Sequence, residues 1–203
     1  MNVAVFTGIR GLEICDRPIP VLERSGDVLL RIETVGVCGS DIHYYTKGRI
    51  GDQIIDHPAT LGHECAGTVI EVGAGVDVLE VGQHVAIDPA ISCGQCDQCQ
   101  QGRAHTCRSL QFLGCPGQAP GAVAEYISIA AESCHPIPDS MTMVQAALVE
   151  PLSVAIHAQR LAWMRPGGTA AILGSGPIGL SVQLAVGALC PSRTFVTDLL
   201  DER

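Results

Sequence analysis

Four cysteines crowded into fifteen residues constrain this chain more than any other feature. Cys93, Cys96, Cys99 and Cys107 follow the pattern C-x2-C-x2-C-x7-C. Two-residue gaps let neighbouring thiolates turn back toward one ion, and four sulfurs close a tetrahedron around Zn²⁺ with no position left for water. Such a site is structural, and metal binding organises a segment that burial alone cannot fold. Residues 89–121 fit that description, being rich in Gly, Gln and Cys with little periodicity. A loop of free thiols and an iron–sulfur cluster are the competing readings, and zinc suits the spacing better. The chain has ten cysteines in all. Its start, MNVAVFTGIRG, lacks the basic-then-apolar order of a secretory signal, so a cytoplasmic, metal-binding use of cysteine is expected rather than disulfides.

Around that lobe the pattern alternates. VLLRIETVGV (28–37), CAGTVIEVGAGV (65–76), HVAID (84–88) and VAEYISI (123–129) read as strands. From about Met141 the period lengthens. MVQAALVEPLSVAIHAQRLAW (143–163) is helical, with Pro151 opening a second helix. TAAILG (169–174) is a strand, PIGLSVQLAVGALC (177–190) a helix and TFVTD (194–198) another strand. The expected class is α/β with a β-rich part: a domain over 1–150 with its lobe at 89–121, then 151–203 with a connecting helix and the first β-α-β of a parallel sheet.

A second group of potential ligands is dispersed. Cys38, Ser40, Asp41 and His43 lie together after a strand, His63 and Glu64 follow in LGHE, and Glu150 stands in VEP. A catalytic zinc takes three protein ligands from Cys, His and carboxylate and keeps one labile position. Singly, each residue has a plain alternative: a core thiol, a satisfied buried histidine, an acid favoured by a helix N-terminus.

Residues 174–179, GSGPIG, fit G-x-G-x-x-G between an apolar strand and a helix-forming run, and Asp198 ends the next strand. Gly174, Gly176 and Gly179, with Pro177 and Ile178 between them, permit a tight turn and close approach of a pyrophosphate to the helix N-terminus. Asp198 would hold ribose hydroxyls and repel a 2′-phosphate, which favours NAD over NADP.

Cys38-Gly39-Ser40-Asp41, Gly62-His63-Glu64, the four-cysteine lobe and the glycine turn together resemble the zinc-containing medium-chain alcohol dehydrogenases, in the same order. HYYTKGRIGD (43–52) and VEPLSVAIHA (149–158) are similar to the sorbitol (L-iditol) and xylitol dehydrogenase branch. The resemblance implies a GroES-like catalytic domain followed by a Rossmann domain, two zinc ions per chain (one catalytic, one structural) and NAD. It implies Cys38 and His63 as catalytic zinc ligands. The third ligand is open between Glu64, which binds zinc directly in that branch, and Glu150, which there contacts the zinc-bound water. Ser40 matches the hydroxyl that receives the substrate proton, His43 a later member of that relay, and Asp41 a carboxylate orienting His63. Gly48, Arg49, Ile50 and Phe112 are expected near the substrate. Cys15, Cys65, Cys115, Cys134 and Cys190 remain, most of them expected in apolar cores.

The implied activity is hydride transfer from a polyol or secondary alcohol to NAD. A threonine dehydrogenase-like enzyme and a non-catalytic zinc-binding protein are the alternatives. A formal net charge of −9 argues against nucleic acid or anionic membrane as partner, and no apolar run approaches the ~20 residues that cross a bilayer. Family members are longer, so the expectation is a C-terminally truncated chain, inactive alone; full-length relatives are expected to be homo-oligomers.

Overall fold

The computed structural model describes residues 1–190 and 193–202. They form two compact units, Met1–Ala147 and Leu148–Arg203. In the first, strands β1 (Asn2–Gly8), β2 (Gly11–Asp16) and β3 (Asp27–Gly36) lead to helix α1 (Gly39–Lys47). Then come β4 (Arg49–Ile50), β5 (Gln53–Ile54), β6 (Glu64–Val72), β7 (His84–Ile87) and β8 (Ala90–Ile91). A four-residue helix α2 (Asp97–Gln100), β9 (Gln111–Phe112), β10 (Tyr126–Ala130), β11 (Cys134–Pro136) and α3 (Met143–Ala147) complete this unit.

Its frame is a five-stranded antiparallel sheet in the order β10-β3-β6-β7-β11. Val28, Leu30, Val69, Val85, Ile127 and Ile129 pack with Leu79 and Leu113 into the main core. β-branched residues dominate these strands because their stiff side chains suit a pleated, half-buried surface. On β3 and β6 the register pairs Gly36 with Glu64, so the end of one strand and the start of the other meet at one edge. The β1–β2 hairpin joins this body through the bridges Val3–Ala124 and Phe6–Ala59.

In the second unit α4 (Val149–Leu161) precedes β12 (Thr169–Leu173), α5 (Pro177–Leu189) and β13 (Arg193–Thr197). β12 and β13 pair in parallel, with α5 as the intervening helix. Pro151 lies in the first turn of α4, where its missing N–H leaves no helical bond unmade. Among the described residues, no helix is long and apolar enough to cross a membrane.

The main departure from the sequence expectation is α1. The sequence reading places Ser40, Asp41 and His43 after a strand and assigns no element to 39–47, which form nine residues of helix. Asp41 Oδ2 accepts the Cys38 backbone N–H at 3.1 Å and so satisfies an otherwise orphaned donor at the helix start. Gly48, left-handed at φ 69°, stops the helix.

Candidate metal centres and nucleotide turn

The end of β3, the first turn of α1 and the entry to β6 bring Cys38, His63 and Glu64 together. One donor atom from each lies within 4.8 Å of the others. His63 is buried, while Cys38 and Glu64 are half-buried. Gly62 takes φ 94° just before the histidine, and a Cβ there would lie 2.6 Å from Val123 Cγ2. Only glycine meets both demands without strain.

Behind the histidine stands Asp41, 6% exposed. Its Oδ1 is buried without a hydrogen-bond partner and faces His63 Nδ1 at 3.9 Å. Burial pushes the Asp41 carboxyl above the usual range, opposed by His63 and by the N–H groups of Cys38 and Gly62. The His63 imidazole holds the Cys38 thiol below its ordinary value by hydrogen bonding, with a further bond from the Ser40 hydroxyl, against the effect of burial. A thiol poised to ionise, an imidazole backed by a carboxylate and an adjacent carboxylate make a donor set that fits zinc. His43 lies three residues after Ser40 on the same helix, is exposed, and has Nδ1 2.8 Å from Gly39 O. Because a carbonyl only accepts, Nδ1 carries the proton in that bond. Glu150 lies in the second unit, in the first turn of α4.

The four-cysteine cluster is also assembled, its sulfurs all within 4.8 Å of one another. Cys96 Sγ is 3.5 Å from Cys99 Sγ and 3.9 Å from Cys107 Sγ, and Cys93 Sγ is 4.0 Å from Cys99 Sγ. A Zn–S bond of about 2.3 Å implies sulfur separations of about 3.8 Å in a tetrahedron, so this set fits the ion. Backbone N–H groups of Cys93 and Ser109 point at Cys107 Sγ, at 3.2 and 3.4 Å. The N–H groups of Arg108 and Cys99 pull Cys96 down to about 6. Those of Gln95 and Cys96 lower Cys93. Desolvation and the neighbouring thiols push Cys99 up to about 11. A cation bound among four sulfurs this close would offset the repulsion between their thiolates. Arg108 grips Asp97 with two hydrogen bonds, 2.5 and 2.8 Å, which tie α2 to the Cys107 end of the lobe.

Of the other cysteines, Cys65, Cys134 and Cys190 are buried. Burial pushes Cys134 up to about 12, so it stays a thiol. Cys15 and Cys115 are half-buried, and Cys115 Sγ accepts the Gln53 amide at 2.9 Å. Arg49 and Ile50 form exposed β4 directly after α1.

In the second unit Gly176 caps α5 and Pro177 opens it. A Cβ on Gly179 would run into the Gly174 carbonyl, so this close turn requires glycine. Asp198 Oδ2 accepts the Ser175 N–H at 2.8 Å and its Oδ1 the Leu200 N–H at 3.0 Å. The Ser175 hydroxyl donates to the same Oδ2 at 3.4 Å. The free N–H groups at the start of α5 and the absent side chain at Gly179 fit a dinucleotide's pyrophosphate.

Sequence reasoning expected Phe112 near the substrate but anticipated neither its contact with His63 nor the role of Gly114. Phe112 meets the His63 ring edge-on, with centroids 5.3 Å apart and planes at 64°. Gly114 lies so close to Gly62 that a Cβ would be 2.7 Å from the Gly62 oxygen. Both contacts join residues about fifty positions apart, and no local pattern announces them.

Comparison with known proteins identifies the family. Sorbitol dehydrogenase of Bacillus subtilis is 43% identical over 199 residues, covering 98% of this chain and 56% of that protein. D-xylulose reductase A of Aspergillus oryzae is 39% identical over 176 residues, covering 87% and 49%. Among solved structures, L-idonate 5-dehydrogenase of Escherichia coli superposes with a TM-score of 0.90 at 32% identity, covering 98% of this chain and 57% of that one. The chain spans about half the length of the curated relatives it matches. Residues 24–139 match the alcohol dehydrogenase GroES-like domain. With more than half its length in that match, and with polyol-type dehydrogenases as its relatives, the chain belongs to the alcohol dehydrogenase family that carries the GroES-like domain.

Proposed function

We propose that this chain supplies the two zinc sites and the first nucleotide-binding turn of an NAD-linked dehydrogenase acting on a polyol or related secondary alcohol. The convergence of Cys38, His63 and Glu64, with Asp41 behind the histidine, carries the reading. Relatives named for sorbitol, xylulose and idonate support the substrate class. Bound at these residues, zinc supplies a Lewis acid that makes a substrate hydroxyl acidic near neutral pH, and NAD supplies the hydride acceptor.

The chain's own residues do the rest. Cys38, His63 and Glu64 hold the ion, with Glu150 as the alternative carboxylate in the ligand set. Asp41 orients the His63 ring and strengthens it as a donor. Ser40, bonded to the Cys38 thiol, accepts the substrate proton. His43, three residues on along the same helical face, passes it outward. Cys93, Cys96, Cys99 and Cys107 hold the second, structural ion. Gly174, Gly176, Pro177, Ile178 and Gly179 form the pyrophosphate turn, and Asp198 takes the ribose hydroxyls.

Metal analysis with cobalt substitution tests the assignment. About two ions per chain are expected, falling to about one in Cys93→Ser. Cobalt spectra without thiolate charge transfer at Cys38 would sink the proposal for the open site. Turnover of threonine, but not of sorbitol or xylitol, by the protein carrying this chain would move the substrate class instead.

A further inference from the structure

The segment that closes the four-cysteine lobe also forms the wall behind His63. β8 and β9 pair antiparallel, with Ala90 opposite Phe112 and Ile91 opposite Gln111. The lobe therefore leaves and re-enters the sheet body through one short neck. Cys93 lies two residues beyond Ile91, and Cys107 four residues before Gln111. On the far side of this neck, the Phe112 ring rests edge-on against His63. Leu113 is buried in the sheet core and donates its N–H to Pro89 O at 2.9 Å. Gly114 presses on the backbone of Gly62, its would-be Cβ 2.7 Å from the Gly62 oxygen and 2.9 Å from the nitrogen. Residues 112 and 114 thus bracket 62 and 63.

The lobe has almost nothing else to hold it. From Cys93 to Leu110 the one buried residue is Cys107. Order in this stretch depends on the sulfurs being tied together, and a two-residue strand pair cannot persist unsupported. We propose that Phe112 is a positioning residue through which the ordered four-sulfur lobe fixes the His63 ring, so that metal binding at the two sites is positively coupled. Untying the lobe releases the neck, frees the Phe112 ring to turn, and removes the apolar wall that holds the imidazole toward Cys38. Reciprocity follows: each occupied site raises the affinity of the other by the same factor. The inference rests on the proposed function only in taking both clusters as metal sites.

Competitive cobalt and zinc titration of the whole chain measures this coupling. Disabling the lobe with Cys93→Ser plus Cys96→Ser is expected to weaken binding at Cys38–His63–Glu64 by about 3- to 10-fold, the scale of one lost aromatic contact. Phe112→Leu, with the lobe intact, is expected to give the same loss and the same change in the visible cobalt spectrum. Phe112→Tyr preserves the edge contact and is expected to restore both. Combining the lobe and Phe112→Leu changes should add nothing, because both act through one contact. Unchanged open-site affinity in the lobe-disabled chain overturns the coupling. So does an equal loss in Ile137→Val, a change against the separate cluster of Ala66, Ala86, Ala146 and Ala147, since it would trace the effect to general loosening. If neither cluster binds metal, it is the metal-site reading that fails.

Discussion

Asp41 serves two structures at once. One oxygen accepts the Cys38 N–H at the head of α1, and the other faces His63. Asp41→Asn separates these tasks, because an amide oxygen still caps the helix but brings no negative charge behind the imidazole. Metal affinity at the open site is expected to fall about 10- to 100-fold, the usual cost of removing a ligand's supporting partner. The thermal transition of the apo chain is expected to move little, because the buried carboxyl already carries a desolvation burden that the amide lacks. Chelator competition and a melting curve on the same variant check both halves. A large loss of stability with unaltered metal affinity would reassign Asp41 to a purely structural role.

At the level of elements, legibility followed the range of the interaction. Strands expected at 28–37 and 84–88 appear as Asp27–Gly36 and His84–Ile87, because a short apolar, β-branched run is local information. The turn at 174–179 and the four-cysteine spacing are likewise local, and both assemble. Helix α1 was obscure because GSDIHYYTK is poor in strong helix formers and is capped through Cys38 rather than Ser or Thr. Its signals were Asp41 three residues after the cap and Gly48 beyond the end. Phe112 and Gly114 reach the site only through tertiary packing. The corner at Gly62 combines both kinds of demand, local in its φ of 94° and tertiary in its contact with Val123. Gly62→Ala is therefore expected to cost about 1–3 kcal/mol in denaturant unfolding, from backbone strain together with the clash. It should also weaken open-site metal binding. Unperturbed unfolding would mean that the corner relaxes without using this backbone conformation.

The two units differ in how much of their secondary structure is backed by burial. The first has a five-stranded sheet whose core includes Val28, Leu30, Val69 and Val85 at 0% exposure. In the second, the buried apolar positions among the described residues are Pro151, Ala155, Ile172, Ala185, Val186 and Cys190, mostly small. Leu173, Leu184 and Phe195 are 85, 69 and 57% exposed, and the parallel sheet has two strands among the described residues. Parallel sheets are normally covered on both faces, and a two-stranded pair is marginal in water. Opening free energy should follow this contrast, since local stability tracks buried apolar contact. Native-state hydrogen exchange on the 203-residue chain is expected to find the slowest amides in β3, β6 and β7. Exchange in β12 and β13 is expected to be faster by orders of magnitude. Chelation should then expose a third class, the amides of 93–110, whose protection depends on the sulfurs and not on a core, while β3 and β6 stay protected. Equal protection in β12 and β3 would show that the second unit draws its stability from something other than the apolar surface it buries.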